Sequence, residues 1–181
     1  VHSLRNIELT LDLLRRRVGS PISYSSLAAD VNCSPNTIKR YIEIMEALFI
    51  IFRVTPYHRN IARSLLKEPK IYFYDTGMVK GDEGLKFENM AAVCLLKHLN
   101  GIEDYEGRRT RLQYLRTKEK KEVDFALSIE DNPATLIETK LSSREISPSL
   151  RYFHRKYNLP AIQIVKNLKH EQVDNGIEIR R

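Results

Sequence analysis

Apolar positions recur every three or four residues from Leu4 through Ile7, Leu11 and Leu14 to Val18, which predicts a helix stopped by Gly19-Ser20-Pro21. A second, short helix follows over 25–31, with Leu27 and Val31 on one face and Ser23 placed to cap it. Asn32-Cys33 makes a turn, and Ser34 caps a third helix that carries Pro35 at its first position. On that helix Ile38, Tyr41, Ile42, Met45 and Leu48 form the apolar face, while Asn36, Thr37, Lys39 and Arg40 point outward at its leading end. Two β-rich runs, 50–54 and 70–74, flank a loop over 55–69 that contains His58, Arg59, Arg63 and Lys67. Two short helices, a tight turn, a longer helix and a basic-tipped hairpin predict a winged helix-turn-helix over residues 1–80. Its third helix would lie in a major groove.

Downstream the pattern changes. Residues 85–99 are apolar almost all round, which predicts a buried helix. Strands are expected at 102–106, 112–116, 122–127 and 134–140, then a helix over 148–157 and strands at 161–165 and 176–180. Residues 81–181 thus form a second unit, and the whole chain is α/β.

The chemistry of this second unit lies in a few charged positions. Glu88 shares a helix face with Ala91, Ala92, Leu95 and Leu99, where a carboxylate is costly unless paired or bound to a metal. Side chains alternate along a strand, so Glu122 and Asp124 share one face, and so do Glu138 and Lys140. If the two strands are neighbours, Asp124, Glu138 and Lys140 converge, and Glu88 arrives from the helix. Two carboxylates and a backbone carbonyl suit a hard cation such as Mg²⁺. With Lys140, that cation would orient and activate water for attack on a phosphodiester. A simpler reading stands beside this one: Glu-x-Lys is frequent in a chain with 30 Lys plus Arg and 23 Asp plus Glu, and exposed cross-strand ion pairs contribute little.

Composition narrows the classes. With 42 % hydrophobic residues over 181 positions the chain builds a core, which excludes a disordered tail. Its apolar runs fall short of the roughly 20 residues a span requires, so no membrane partner is expected and the location is cytoplasmic. Cys33 and Cys94 make no disulfide framework, in keeping with a reducing interior. A net charge of +7 favours a polyanion, and the winged helix makes DNA the expected partner over RNA, although Glu43 and Glu46 on the third helix would repel phosphate. The spacing of Gly77, Gly81 and Gly84 makes no phosphate-binding loop, and no histidine pair has zinc-helix spacing. The single Asp75-Thr76-Gly77 reads as a turn. The stretches Arg108-Arg109-Thr110-Arg111 and Lys118, Lys120, Lys121 read as exposed loops. Tyr57, Tyr72, Tyr74 and Tyr114 suggest a sticky surface for a homo-oligomer. A chain opening on Val1 reads as part of a longer polypeptide.

The order Glu88, Asp124, Glu138, Lys140 across helix, strand and strand resembles the PD-(D/E)xK nuclease-like fold. Over nearly its whole length the chain also resembles the C-terminal half of a large prokaryotic family of AAA+-type ATP-binding proteins. The match is carried by Gly19-Ser20, Ser25-Ser26-Leu27-Ala28, Thr37-Ile38, Tyr41 and Leu48-Phe49-Ile50-Ile51. It continues through the run from Lys70-Ile71-Tyr72 to Asp75-Thr76-Gly77, Phe87-Glu88-Asn89, Tyr114 with Arg116, Glu122-Val123-Asp124-Phe125 and Ile137-Glu138-Thr139-Lys140. The resemblance implies an N-terminal winged helix-turn-helix and a C-terminal restriction-endonuclease-like mixed sheet flanked by helices. It also implies an upstream ATPase domain of the same polypeptide, which would bind the ATP. Val123 stands where the motif has its Pro, and Gln163 stands near the position of a site glutamine in some relatives.

Two functions of different class follow. The first is a Mg²⁺-dependent nuclease guided by the winged helix, with Asp124, Glu138 and Glu88 as metal ligands and Lys140 activating water. The second is a non-catalytic nucleic-acid or protein docking module that regulates the ATPase.

Overall fold

The structure is a computed structural model and describes residues 2–57, 68–142 and 145–181. The basic loop residues His58, Arg59, Arg63 and Lys67 lie outside the described residues.

The N-terminal part is mostly helical: α1 (His2–Arg15), α2 (Tyr24–Val31) and α3 (Pro35–Ala47). Both expected caps form. Ser23 accepts a hydrogen bond from the Ser26 amide at 3.4 Å, and Ser34 accepts one from the Thr37 amide at 3.1 Å. Asn32 ends α2 in the left-handed conformation, φ 58°. Leu27, Val31, Ile38, Ile42 and Met45 are buried together.

Strands β1 (Ile51–Pro56) and β2 (Lys70–Phe73) pair antiparallel, Ile51 opposite Phe73. The lone Asp-Thr-Gly is a turn, with Asp75 Oδ1 accepting from the Gly77 amide at 2.8 Å ahead of a single 3₁₀ turn, Thr76–Met78. Next comes α4 (Glu83–Glu106), longer than expected at both ends. Residues 102–106, expected as a strand, are its last turns. Ile102 prolongs the apolar row of Leu95 and Leu99, and neither Asn100 nor Gly101 breaks a helix already nucleated. Gly107, φ 66°, ends it instead.

The remaining elements are β3 (Thr110–Arg116), β4 (Glu122–Ile129), β5 (Asn132–Lys140), α5 (Pro148–Tyr157), β6 (Ala161–Val165), β7 (Gln172–Asp174) and β8 (Ile177–Arg180). Among the described residues they and the N-terminal hairpin make a mixed eight-stranded sheet, ordered β2-β1-β3-β4-β5-β6-β8-β7. The hairpin joins through parallel pairing of β1 with β3, Thr55 beside Gln113 and Pro56 beside Tyr114. Helix α5 carries the chain between the parallel strands β5 and β6.

On β5 the neighbours Leu136 and Ile137 belong to two different apolar clusters, so the sheet is covered on both faces. One cluster runs from Leu14, Ile38 and Tyr72 through Ala92 to Phe125 and Ile137, continuous from the helices to the sheet. The other gathers Leu136, Leu150, Phe153 and Ile177 beneath α5. Tyr72 and Tyr114 are part of the first, 0 % and 3 % exposed, which removes both from any surface patch of tyrosines. Their rings are fully used inside, where burial contributes more than exposure would. Among the described residues no helix is long and apolar enough to cross a membrane.

Candidate carboxylate–lysine site

Phe125 is paired with Ile137 across the antiparallel β4–β5 ladder, which brings Asp124 and Glu138 to adjacent positions. The two strands then lock each other. Thr139 donates its amide and its hydroxyl to Asp124 Oδ2 at 2.9 and 2.8 Å, and the Asp124 amide approaches Glu138 Oε2 at 3.4 Å. Lys140 Nζ lies 2.8 Å from Glu138 Oε1, as the shared face predicts. Glu138 is buried, while Lys140 is partly exposed.

Glu88 reaches this group from α4. Its Oε1 accepts a 2.6 Å hydrogen bond from the Tyr72 hydroxyl, and the next residue, Asn89, grips the end of β2. Asn89 Oδ1 accepts from the Phe73 amide at 2.8 Å, and its Nδ2 donates to the Phe73 carbonyl at 2.9 Å. Gly19 makes room on the other side: a Cβ there would stand 2.6 Å from Glu88 Oε1, and its φ of 73° also favours glycine.

The centre of the cluster is filled by Lys70. This side chain is 1 % exposed, and its Nζ lies 2.8 Å from Glu122, 3.7 Å from Glu88 and 4.0 Å from Asp124. It also sits over the Tyr114 ring at 5.3 Å. Arg116 supports Glu122 from outside at 3.4 Å. Thus Glu88, Asp124, Glu138 and Lys140 are drawn together, and sequence reasoning missed the residue at their centre. A signal was present. Lys70 opens an otherwise apolar and aromatic strand, where a charge must find partners. Glu122 lies on the same strand face as Asp124, as alternation predicts, and its role as Lys70's nearest partner carries no local sequence signal.

The electrostatics follow from that packing. Burial alone would push Lys70 down, yet Glu88, Asp124 and Glu122 outweigh it and hold the ammonium above its ordinary range. Burial, then the charge of Asp124, push Glu88 up to about 7 despite Lys70 and Tyr72. Burial and Asp124 likewise raise Glu138, opposed by Lys140. Lys140 is itself raised, since Glu138 outweighs its partial burial.

A cleft of about 390 Å³ opens beside the cluster, lined by Glu88, Thr139 and Lys140 together with Asp82, Leu85 and Leu141. Lys140 and Glu88 are therefore the groups an entering molecule would meet. A divalent ion does not fit the cluster as it stands. The space between Glu88, Glu122 and Asp124 is held by an ammonium, and among the described residues no three His, Cys, Asp or Glu side chains are disposed to ligate one ion.

The other predicted residues lie elsewhere. Asn36, Lys39 and Arg40 are exposed on the leading turns of α3, with Thr37 half-buried and its hydroxyl 2.9 Å from that of Ser34. The acids expected to repel phosphate are matched: Glu46 pairs with Arg53 at 2.6 Å, and Glu43 lies 3.8 Å from Lys39. Gln163 is paired with Glu138 in strand register, but its side chain is turned to the 145–147 segment. It accepts from the Ser147 amide at 2.9 Å and donates to the Glu145 carbonyl at 3.0 Å. Arg109 and Arg111 both pair with Asp131 at 3.2 Å.

With this geometry in place, kinship can be read. The chain belongs to the family described as Domain of unknown function (DUF4143), whose model matches residues 83–180, more than half its length. Residues 1–86 match a second model, Domain of unknown function (DUF8612). Two uncharacterized proteins, Mb2031c of Mycobacterium bovis and Rv2008c of Mycobacterium tuberculosis, are each 24 % identical to it over 139 residues. That alignment covers 74 % of this chain and 32 % of theirs, so the chain spans about a third of the length of the curated relatives it matches. No solved structure matches it.

Proposed function

We propose that this chain is a nucleic-acid docking and regulatory region of a longer, ATP-binding protein, built on a winged helix and a nuclease-like sheet. The observation that carries the reading is α3. Asn36, Lys39 and Arg40 stand exposed at its leading end, and Arg53 and Lys39 offset the acids behind them. Helices α2 and α3 joined by a capped turn, followed by the β1–β2 hairpin, support the winged-helix reading. A net charge of +7 supports a polyanionic partner, with duplex DNA favoured over RNA. The resemblance in sequence order to AAA+-type ATP-binding proteins supports the upstream ATPase, and the far greater length of the relatives leaves room for one.

The test is duplex DNA binding followed by fluorescence anisotropy as salt is raised. Wild type is expected to bind with an affinity that falls linearly in log–log form. Lys39→Ala and Arg40→Ala should each reduce the slope by about one unit if they contact phosphate. No binding at low salt would remove the reading.

A second reading, Mg²⁺-dependent phosphodiester hydrolysis in a cytoplasmic nuclease-like module, would require an ion to displace Lys70 or to bind with the substrate at the cleft, and one specific observation favours it. Lys140 pairs with Glu138 beside a cleft that Glu88 also lines. Cleavage of DNA with Mg²⁺ or Mn²⁺, lost in Lys140→Ala while the fold survives, would favour hydrolysis over docking alone.

A further inference from the structure

We propose that Lys70 is the resident cation of this fold: its ammonium fills the position among Glu88, Glu122 and Asp124 that a divalent ion would otherwise require. The inference does not rest on nucleic-acid binding and concerns the cluster alone.

The geometry that carries it is threefold. Lys70 Nζ approaches carboxylates from two different elements, Glu88 of α4 and Glu122 and Asp124 of β4, within 2.8–4.0 Å. It reaches them from a fully buried strand position that holds it there. Lys70 is tied to the N-terminal loop through its bridge to Pro21, and the Ile22 amide donates to the Pro69 carbonyl at 2.8 Å. Third, an acceptor on each carboxylate is already engaged apart from Lys70: Glu88 Oε1 takes the Tyr72 hydroxyl, Asp124 Oδ2 takes both donors of Thr139, and Glu122 Oε2 faces Arg116. An ion entering this space would have to expel an ammonium whose side chain is 1 % exposed. Conversely, removing that ammonium leaves three carboxylates with no counter-charge, free to draw in around a hard cation as they do not with Lys70 in place. The cluster is therefore set for a cation, and the protein supplies it from its N-terminal hairpin.

The experiment measures Mn²⁺ binding to the full chain by electron paramagnetic resonance of the free ion, with thermal unfolding alongside. Wild type is expected to show no Mn²⁺ site that Asp124→Asn removes, and an unfolding midpoint unmoved by the ion. Lys70→Met, which keeps the length and apolar stem, is expected to acquire one Mn²⁺, with a midpoint that climbs as the ion is added. Lys70→Met combined with Asp124→Asn should lose that site again. A wild-type Mn²⁺ site abolished by Asp124→Asn overturns the proposal, and this outcome can be read even if Lys70→Met fails to fold. A folded Lys70→Met that takes up no Mn²⁺ overturns it as well.

Discussion

Glu88 sits between an ammonium, a phenol and a glycine, and each contact carries a testable consequence. Its carboxyl is pushed from 4.5 to about 7, first by burial and then by Asp124. Between those values the folded chain holds a proton that the unfolded chain has released, so stability falls as pH rises through that window. Glu138, raised for the same two reasons, acts in the same direction. In Glu88→Gln the titrating proton is gone, and the drop in thermal midpoint from about pH 5 to about pH 8 should shrink. A pH series of melting curves reads this directly, and an unchanged drop would contradict it. Gly19→Ala tests the other side of the same residue. The left-handed backbone alone should cost roughly 1–2 kcal/mol, and a Cβ 2.6 Å from Glu88 Oε1 forces the carboxylate to move. Urea unfolding of the variant should register at least that loss.

At the scale of elements, α4 does two jobs. It covers the sheet, and through Asn89 it satisfies both the amide and the carbonyl of Phe73 at the end of β2. Truncation to Asn89→Ala would leave those buried groups without partners, a loss of about 1–3 kcal/mol by equilibrium denaturation. Gly101 is the opposite case. It lies inside α4, nothing stands within 4 Å of the site of a Cβ, and Gly101→Ala should gain about 0.5–1 kcal/mol. A thermal midpoint that falls on that substitution would show that the helix does not run through 101.

The same helix marks where sequence reasoning stopped short. Caps and apolar spacing made α2, α3 and the β1–β2 hairpin legible, because Ser23, Ser34 and Pro35 act locally. Residues 102–106 continue the helix rather than forming the expected strand, held by packing of Leu99 and Ile102 that no local signal reports. The meeting of Asp124 with Glu138 was legible from strand alternation. Lys70 was not, since its partners lie on α4 and β4, and the hairpin reaches them through long-range contacts, the pairing of β1 with β3 and the grip of Asn89 on β2.

Across the whole molecule, that pairing makes the N-terminal helices and the C-terminal sheet share one apolar cluster and one charge cluster. Breaking a buried ion pair by removing one partner typically costs about 3–5 kcal/mol, so Lys70→Met and Glu122→Gln should each destabilise the entire chain. Their double mutant should lose less than the two single losses added together, with a coupling of about 0.5–3 kcal/mol. Additivity within about 0.5 kcal/mol would mean that Lys70 does not bind the two regions through Glu122.

We propose that this molecule docks on DNA through α3 while its carboxylate cluster, closed by Lys70, takes no part through a metal. Anisotropy of labelled duplex DNA, titrated at matched ionic strength once in EDTA and once in Mg²⁺, tests it most directly. Equal affinity in the two titrations is the predicted result. Binding that appears only with Mg²⁺ and vanishes in Asp124→Asn would contradict it.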